Sequence, residues 1–310
     1  MQRTWIGRAR HVATAVGMTC VVALSSAALV GMSAPRHVAT DDGPVGDSTD
    51  AILPRLLGRS GKLRAIQGTP DALRELPMVS SVFEGIDPTP GVHDLGLSTP
   101  AGESFFVLAL IPFETKRGAK VAGYNIGYWP SERGRPSRYD LPEGFIEVTA
   151  ENQYTPLSDH FRLADFLTKD QRQVWPKMLV IQPRLIDKLE LISSELERQG
   201  KPSTLRVMSG FRTPQYNARG TCRRCGRAKD SRHMYGDAAD VFVDADGDGR
   251  MDDLDGDGRV TVADARFLAA VADRVEAEHP DLVGGVGIYK STSSHGPFVH
   301  VDARGSVARW

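Results

Sequence analysis

The clearest periodic pattern in the chain lies at residues 184–199. Leu185, Leu189, Ile192 and Leu196 fall on one stripe there, with charged and polar residues between them. That spacing predicts an amphipathic helix, and Gly200 is its stop. A second stripe, Asp264, Leu268, Val271 and Val275, recurs at i, i+4, i+7 and i+11 and predicts another helix. Period-two segments surround these helices. Thr204–Met208 reads as a strand. Ala239–Val243 reads as another, with Val241 and Val243 on one face and Asp240 and Phe242 on the other. Phe298–Asp302 sets Phe298, His300 and Asp302 on one face and Val299 and Val301 on the other.

Upstream, Phe105–Ile111 and Val121–Tyr128 read as strands parted by a Lys/Arg/Gly turn at 116–120, and Phe145–Val148 is a third. They predict a small β domain at 101–150. Its aromatics Tyr124, Tyr128 and Trp129 read as core first, and as a wall-binding face second. Residues 151–310 then form an α+β domain, a mainly antiparallel sheet with packed helices, long enough for one core. Residues 61–100 carry weak periodicity and many Gly and Pro, giving one short helix near Pro70–Leu76. With 35–60, rich in Asp, Gly, Pro and Arg, they make a linker and an unassigned stretch at 35–100.

The first 34 residues change the setting. Arg3, Arg8 and Arg10 precede an uncharged, mostly apolar run from Val12 to Ala34. The pattern is an export signal, either cleaved or kept as a membrane anchor through residues 12–34. The remainder is then periplasmic, envelope-bound or extracellular. Net charge is −1, and no basic stripe with interleaved aromatics appears, so no nucleic-acid partner is expected. In an exported protein, Cys222 and Cys225 form a short disulfide before His233 more readily than a zinc or redox pair, since no second Cys pair accompanies them.

The candidate chemistry is metal-based. His233 and Asp240 occur in Ser231-Arg-His-Met-Tyr-Gly-Asp-Ala-Ala-Asp240, and His300 in Phe298-Val-His-Val-Asp302. Two imidazoles and a carboxylate give Zn²⁺ three ligands and leave one tetrahedral position open, as in catalytic zinc sites. Neighbouring strands would bring Asp240 and His300 together, with His233 reaching in from a loop after which Gly236 permits a sharp turn. His160, in Ser-Asp-His-Phe161, reads as a capping and packing residue.

These segments stand in order with Ser209-Gly-Phe-Arg-Thr-Pro214, Tyr216-Asn217, Gly284-Gly-Val-Gly-Ile-Tyr289 and a terminal Trp310. Together, over roughly residues 156–310, they resemble the zinc D-alanyl-D-alanine metallopeptidases and murein endopeptidases, which share a fold with lysostaphin and the hedgehog signalling domain. The resemblance implies zinc at His233, Asp240 and His300, peptidoglycan stem or cross-bridge peptides as substrate, and Arg212 facing that substrate. A fixed guanidinium suits an oxyanion or a carboxylate. Relatives carry a Glu three residues, or a His two residues, before the last ligand, where this chain has Pro297 and Phe298. The general base is therefore open, with Asp302, on the His300 face, the first candidate and His295, in the Ser/Gly loop before it, the second. The altered positions also leave open a non-catalytic wall-binding protein that keeps the zinc scaffold.

A second metal is expected in an insert at 244–264. Asp253, Asp255, Asp257, the Arg259 carbonyl and Asp264 fit positions 1, 3, 5, 7 and 12 of a calcium loop, with Gly258 at the turn. An overlapping frame starts at Asp244 and runs through Asp246 and Asp248 to Asp255. Both frames need Asp255, and the later one is preferred because a helix follows it directly. Calcium there would be structural.

Overall fold

The computed structural model describes residues 57–76, 79, 88–99, 101–221 and 226–310. The chain divides into two units, Met1–Gly46 and Asp47–Trp310, and the described residues all lie in the second. The signal or anchor at 1–34, the first part of the linker and the Cys222–Cys225 pair lie outside the described residues. Among the described residues no helix is long and apolar enough to cross a membrane.

The elements run in chain order β1 (Ala65–Gly68), α1 (Pro70–Arg74), β2 (Gly91–Ser98), β3 (Ser104–Ala109), β4 (Ile111–Pro112), β5 (Lys120–Val121), β6 (Tyr124–Asn125), β7 (Gly144–Val148) and β8 (Lys177–Leu179). Then come α2 (Pro183–Arg198), β9 (Leu205–Ser209), α3 (Pro214–Ala218), β10 (Ala238–Val243), α4 (Val262–Glu278), β11 (Gly285–Tyr289), β12 (Phe298–Asp302) and β13 (Ala308–Arg309). The architecture is α+β. Its central sheet has five strands in the order β13-β11-β12-β10-β9, antiparallel except where β13 joins β11.

The helices form for local reasons. Pro183 opens α2, where its fixed φ suits the first turn. The Thr261 hydroxyl accepts the Ala263 N–H, and the Asp264 carboxylate accepts the Thr261 N–H, capping α4 from both directions. Helix α4 lies along β11 and β12, and α2 lies against α4. The expected α2 stripe is fully buried, and each such aliphatic side chain contributes roughly 1.5–3 kcal/mol.

The upstream segments pack differently from the expected pattern. The strand expected at 121–128 is a two-residue pair, Lys120–Val121 with Tyr124–Asn125, because Ala122 and Gly123 turn the chain at φ 44° and 85°. Strands β4, β7 and β8 make a sheet of their own, drawing on both sides of residue 150. One core cluster continues from Leu108, Ile126, Trp129 and Phe145 through Met178 and Leu189 to Val241 and Val301. Of the three aromatics, Tyr124 and Trp129 are buried, while Tyr128 is 37 % exposed. In the stretch at 61–100, β1 pairs in parallel with β3, and β2 pairs antiparallel with it on the other side.

Candidate metal centre

Strands β9, β10 and β12 lie side by side, so their register decides what meets. Asp240 is opposite His300 on β12 and opposite Ser209 on β9. Directly opposed residues in such a ladder have Cβ atoms about 4.5–5.5 Å apart, close enough for one carboxylate and one imidazole to meet. Ala239, Val241, Val299 and Val301 point into the main core, which by alternation turns Asp240 and His300 to the other face. His233 enters from a single helical turn, Arg232–Tyr235, that ends at Gly236 in left-handed conformation. A Cβ there would come 2.5 Å from the Val180 backbone, so the turn requires glycine. Behind it the Trp129 indole donates to the Met234 carbonyl at 3.0 Å and pins the turn.

Three donor atoms converge. His300 Nδ1 is 3.0 Å from Asp240 Oδ1 and 3.2 Å from His233 Nε2, and His233 Nε2 is 3.2 Å from the same Asp240 oxygen. Ligands at about 2.0–2.1 Å from a tetrahedral zinc would stand about 3.3–3.4 Å apart, so the triangle is close to what zinc requires. All three residues are buried. The remaining ring nitrogens are also engaged. His233 Nδ1 donates to the Gly210 carbonyl at 2.7 Å, leaving Nε2 as the lone pair, and His300 Nε2 faces Asp302 Oδ2 at 3.2 Å. Such outer partners set the tautomer and angle of ligand imidazoles.

The electrostatics agree with this donor set at Asp240 and His233, while at His300 the Asp240 and Asp302 carboxylates overcome burial and raise the imidazole pKa. Burial disfavours the charged form of Asp240, yet His233, His300 and Arg212 hold its carboxyl well below the usual range. Burial pushes the His233 imidazole toward its neutral form, the form that binds metal.

Arg212 lies beside Asp240. It bridges the second Asp240 oxygen and the Ser209 hydroxyl, the latter at 2.9 Å, and its backbone N–H donates to the His233 carbonyl at 3.0 Å. Neither Asp302 nor His295 is among the three converging donors. Asp302 is fully buried behind His300, where it also accepts the Gly285 N–H at 2.8 Å and pairs with Arg304. It does not reach the side of His300 on which His233 and Asp240 converge. His295 packs edge-on against Phe298, centroids 5.0 Å apart, and its Nδ1 meets the Gly296 carbonyl. His160 is remote from the centre, bound through Nδ1 to Glu190 at 2.7 Å.

Three contributors were not singled out as site residues. Ser209 and Gly210 stand inside the Ser-Gly-Phe-Arg motif, but their roles depend on the sheet register. Trp310 covers His300 with ring centroids 5.2 Å apart, and its indole donates to the Tyr289 hydroxyl at 2.8 Å. Gly287 makes room for it, since a Cβ there would fall 2.4 Å from the indole. A cleft of about 540 Å³, lined by Arg138, Tyr139, Arg184, Arg232, Tyr235 and Arg304 among others, includes none of the three ligands.

Residues 146–248 match the family model described as peptidoglycan L,D-endopeptidase MepK. The match, over about a third of the chain, supports the resemblance to zinc murein endopeptidases read from the motifs. The matched stretch contains Arg212, His233 and Asp240 and ends before His300. No curated protein and no solved structure matches the chain.

The acidic insert gathers its carboxylates differently from the expected frame. Asp253, Asp255 and Asp264 bring one oxygen each within 4.8 Å of one another, and Asp244, Asp246 and Asp248 do the same separately. Asp257 stands outside both groups and accepts the Arg259 N–H at 2.8 Å. Asp255 is not shared. Left-handed turns at Gly247 and Gly249, and again at Gly256 and Gly258, curl the two halves into separate loops.

Proposed function

We propose that this chain is a zinc peptidase of the hedgehog/DD-peptidase fold group that hydrolyses peptide bonds in peptidoglycan outside the cytoplasm. The observation that carries the reading is the convergence of His233 Nε2, His300 Nδ1 and Asp240 Oδ1 within 3.2 Å, each imidazole being held from behind by a second partner. The family match supports peptidoglycan as substrate and favours an endopeptidase over a carboxypeptidase.

Bound by these three residues, zinc would supply a Lewis acid and a water of pKa near roughly 7. The chain's own groups do the rest. Gly210 and Asp302 keep the two imidazoles in the tautomers that present Nε2 and Nδ1 to one point. Arg212 fixes Asp240 and directs its positive charge to the site, where it suits the negative charge that develops on a carbonyl oxygen during peptide hydrolysis. Asp302 is committed to His300, Arg304 and Gly285. His295, beside Phe298 on the strand that carries His300, is therefore the proton acceptor in this reading.

The test uses purified full-length protein and peptidoglycan sacculi, with and without a zinc chelator, the products being separated by mass. Expected are soluble fragments cut within the peptides, absent after chelation and restored by zinc. Metal analysis should find about one zinc per chain, lost in His233→Ala and Asp240→Ala, as a three-ligand site requires. Binding to sacculi without any cleavage would overturn the peptidase and leave a wall-binding protein, the outcome that Pro297 and Phe298 at the altered positions would then explain.

A further inference from the structure

We infer that Asp244, Asp246 and Asp248 form a calcium site at the end of the strand that carries Asp240. The inference does not rest on the peptidase reading. It starts from one atom. Asp244 is 4 % exposed, and its Oδ1 is buried with no hydrogen-bond partner among the described residues. A buried carboxylate oxygen left without a donor is costly, and native structures leave few of them.

The rest of Asp244 is held firmly. Its backbone N–H donates to the Thr204 carbonyl at 2.9 Å, which extends the β9–β10 ladder by one bond. Its Oδ2 accepts the Gly249 N–H at 3.2 Å and faces Arg206 Nε at 3.7 Å. With backbone and Oδ2 both anchored, Oδ1 stays where it is. The exposed Asp246 and Asp248 each bring an oxygen to within 4.8 Å of Asp244 and of each other. Three carboxylates that close repel one another unless a cation lies among them.

The chemistry selects calcium. Every donor is a hard oxygen, which excludes the soft metals. Calcium takes six to eight oxygens at about 2.3–2.6 Å in a flexible shell, so loop carbonyls and water can complete it, whereas magnesium demands near-ideal octahedral geometry. Two of the three carboxylates stand on an exposed loop, which suits the more tolerant ion.

The later loop has no corresponding atom. Both Asp264 oxygens are used, Oδ1 by the Leu254 and Asp255 N–H groups and Oδ2 by the Thr261 N–H, so that carboxylate serves as the α4 cap. The inference therefore moves the calcium from the frame favoured by sequence to the one set aside. At this position calcium would tie the loop to the end of β10, four residues from Asp240.

Calorimetric titration of calcium into the full-length, zinc-loaded protein tests the site. Wild type should bind calcium at or below roughly millimolar concentration, the range of extracellular calcium modules. Asp244→Asn and Asp248→Ala should each remove one whole equivalent and leave zinc content unchanged. Asp253→Ala, in the later loop, should leave that equivalent in place. Asp248 is exposed, so its replacement tests the site even if Asp244→Asn disturbs the fold, which circular dichroism would reveal. No calcium binding by wild type, an unchanged stoichiometry in Asp248→Ala, or loss of the only equivalent in Asp253→Ala would each overturn the inference.

Discussion

Asp302 Oδ2 lies 3.2 Å from His300 Nε2, on the side of the imidazole away from the nitrogen that meets Asp240 and His233. A carboxylate in that place would polarise and orient the imidazole of a zinc ligand, and could not also accept a proton at the open side of the proposed zinc. Asp302→Asn should therefore weaken zinc binding by about 10–100-fold. With zinc in excess, its turnover should return to near wild type. His295→Ala should do the reverse, keeping zinc and losing turnover by about 10²–10⁴-fold. Competition with a metal indicator and sacculus digestion read both quantities. Unchanged zinc affinity with lost turnover in Asp302→Asn would return the base to Asp302.

Arg212 pairs with Asp240, one of the three proposed zinc ligands, so its replacement separates two roles. Its bonds go to Ser209 and to the Asp240 oxygen that does not meet the imidazoles. Removing it leaves that oxygen short of a partner but leaves the three converging atoms in place. Arg212→Ala should retain zinc and lose about 10²-fold in turnover, as when one oxyanion donor is removed. Arg212→Lys should recover only part, since an ammonium cannot span both partners. Full activity in Arg212→Ala would remove the residue from the mechanism.

The meeting of Asp240 and His300 was legible in the sequence because both sit on strands of period two, whereas His233 comes from a helical turn and was placed by its motif. Alternation placed Asp240 and His300 on one face each, and the strand at Phe298–Asp302 has the same limits in the structure. Alternation could not say that Asp302 lies behind His300, because it reports the side of a strand and not the rotamer. Of the sheet of β1, β2 and β3, only the middle strand β3 was legible, at Phe105–Ile111. Its two outer strands offer only Gly68 and Leu95 to full burial, and a parallel partner many residues away leaves no local mark. Lys188 escaped for another reason: it stands between apolar positions on α2 and is fully buried, which charge would ordinarily forbid.

His160 gives the fold a pH dependence apart from the metal. Its hydrogen bond to Glu190 raises the imidazole pKa above 6.5, despite burial, and Glu190 falls below its usual value although burial opposes that. Because the folded histidine has the raised pKa, the contribution is fully present below about pH 6.5 and fades as pH rises through the folded value. The imidazole is half exposed, so the effect is small. Urea midpoints measured from about pH 5.5 to 8.5 should fall more steeply for wild type than for His160→Gln. Parallel curves would show that the pair does not couple to folding.

Lys188 ties both long helices to the strand of the metal site. Its ammonium donates to Glu276 on α4 at 2.5 Å and to the Asp302 carbonyl at 2.7 Å, with no exposure to water. Burial pulls its pKa down, and Glu276 and Asp302 act against that. Replacing Lys188 by Met keeps the volume but leaves the carbonyl unpaired and Glu276 with only Arg309 and the Gly284 N–H. Removing one member of a buried pair costs about 3–5 kcal/mol, and Arg309 should hold Lys188→Met near the lower figure. Urea unfolding would measure the loss. A Lys188→Met, Glu276→Gln double variant should be less destabilised than the sum of the two single changes, because each removes the same charge pair. Strict additivity would mean that Lys188 acts through the Asp302 carbonyl and its packing, with the ion pair contributing nothing.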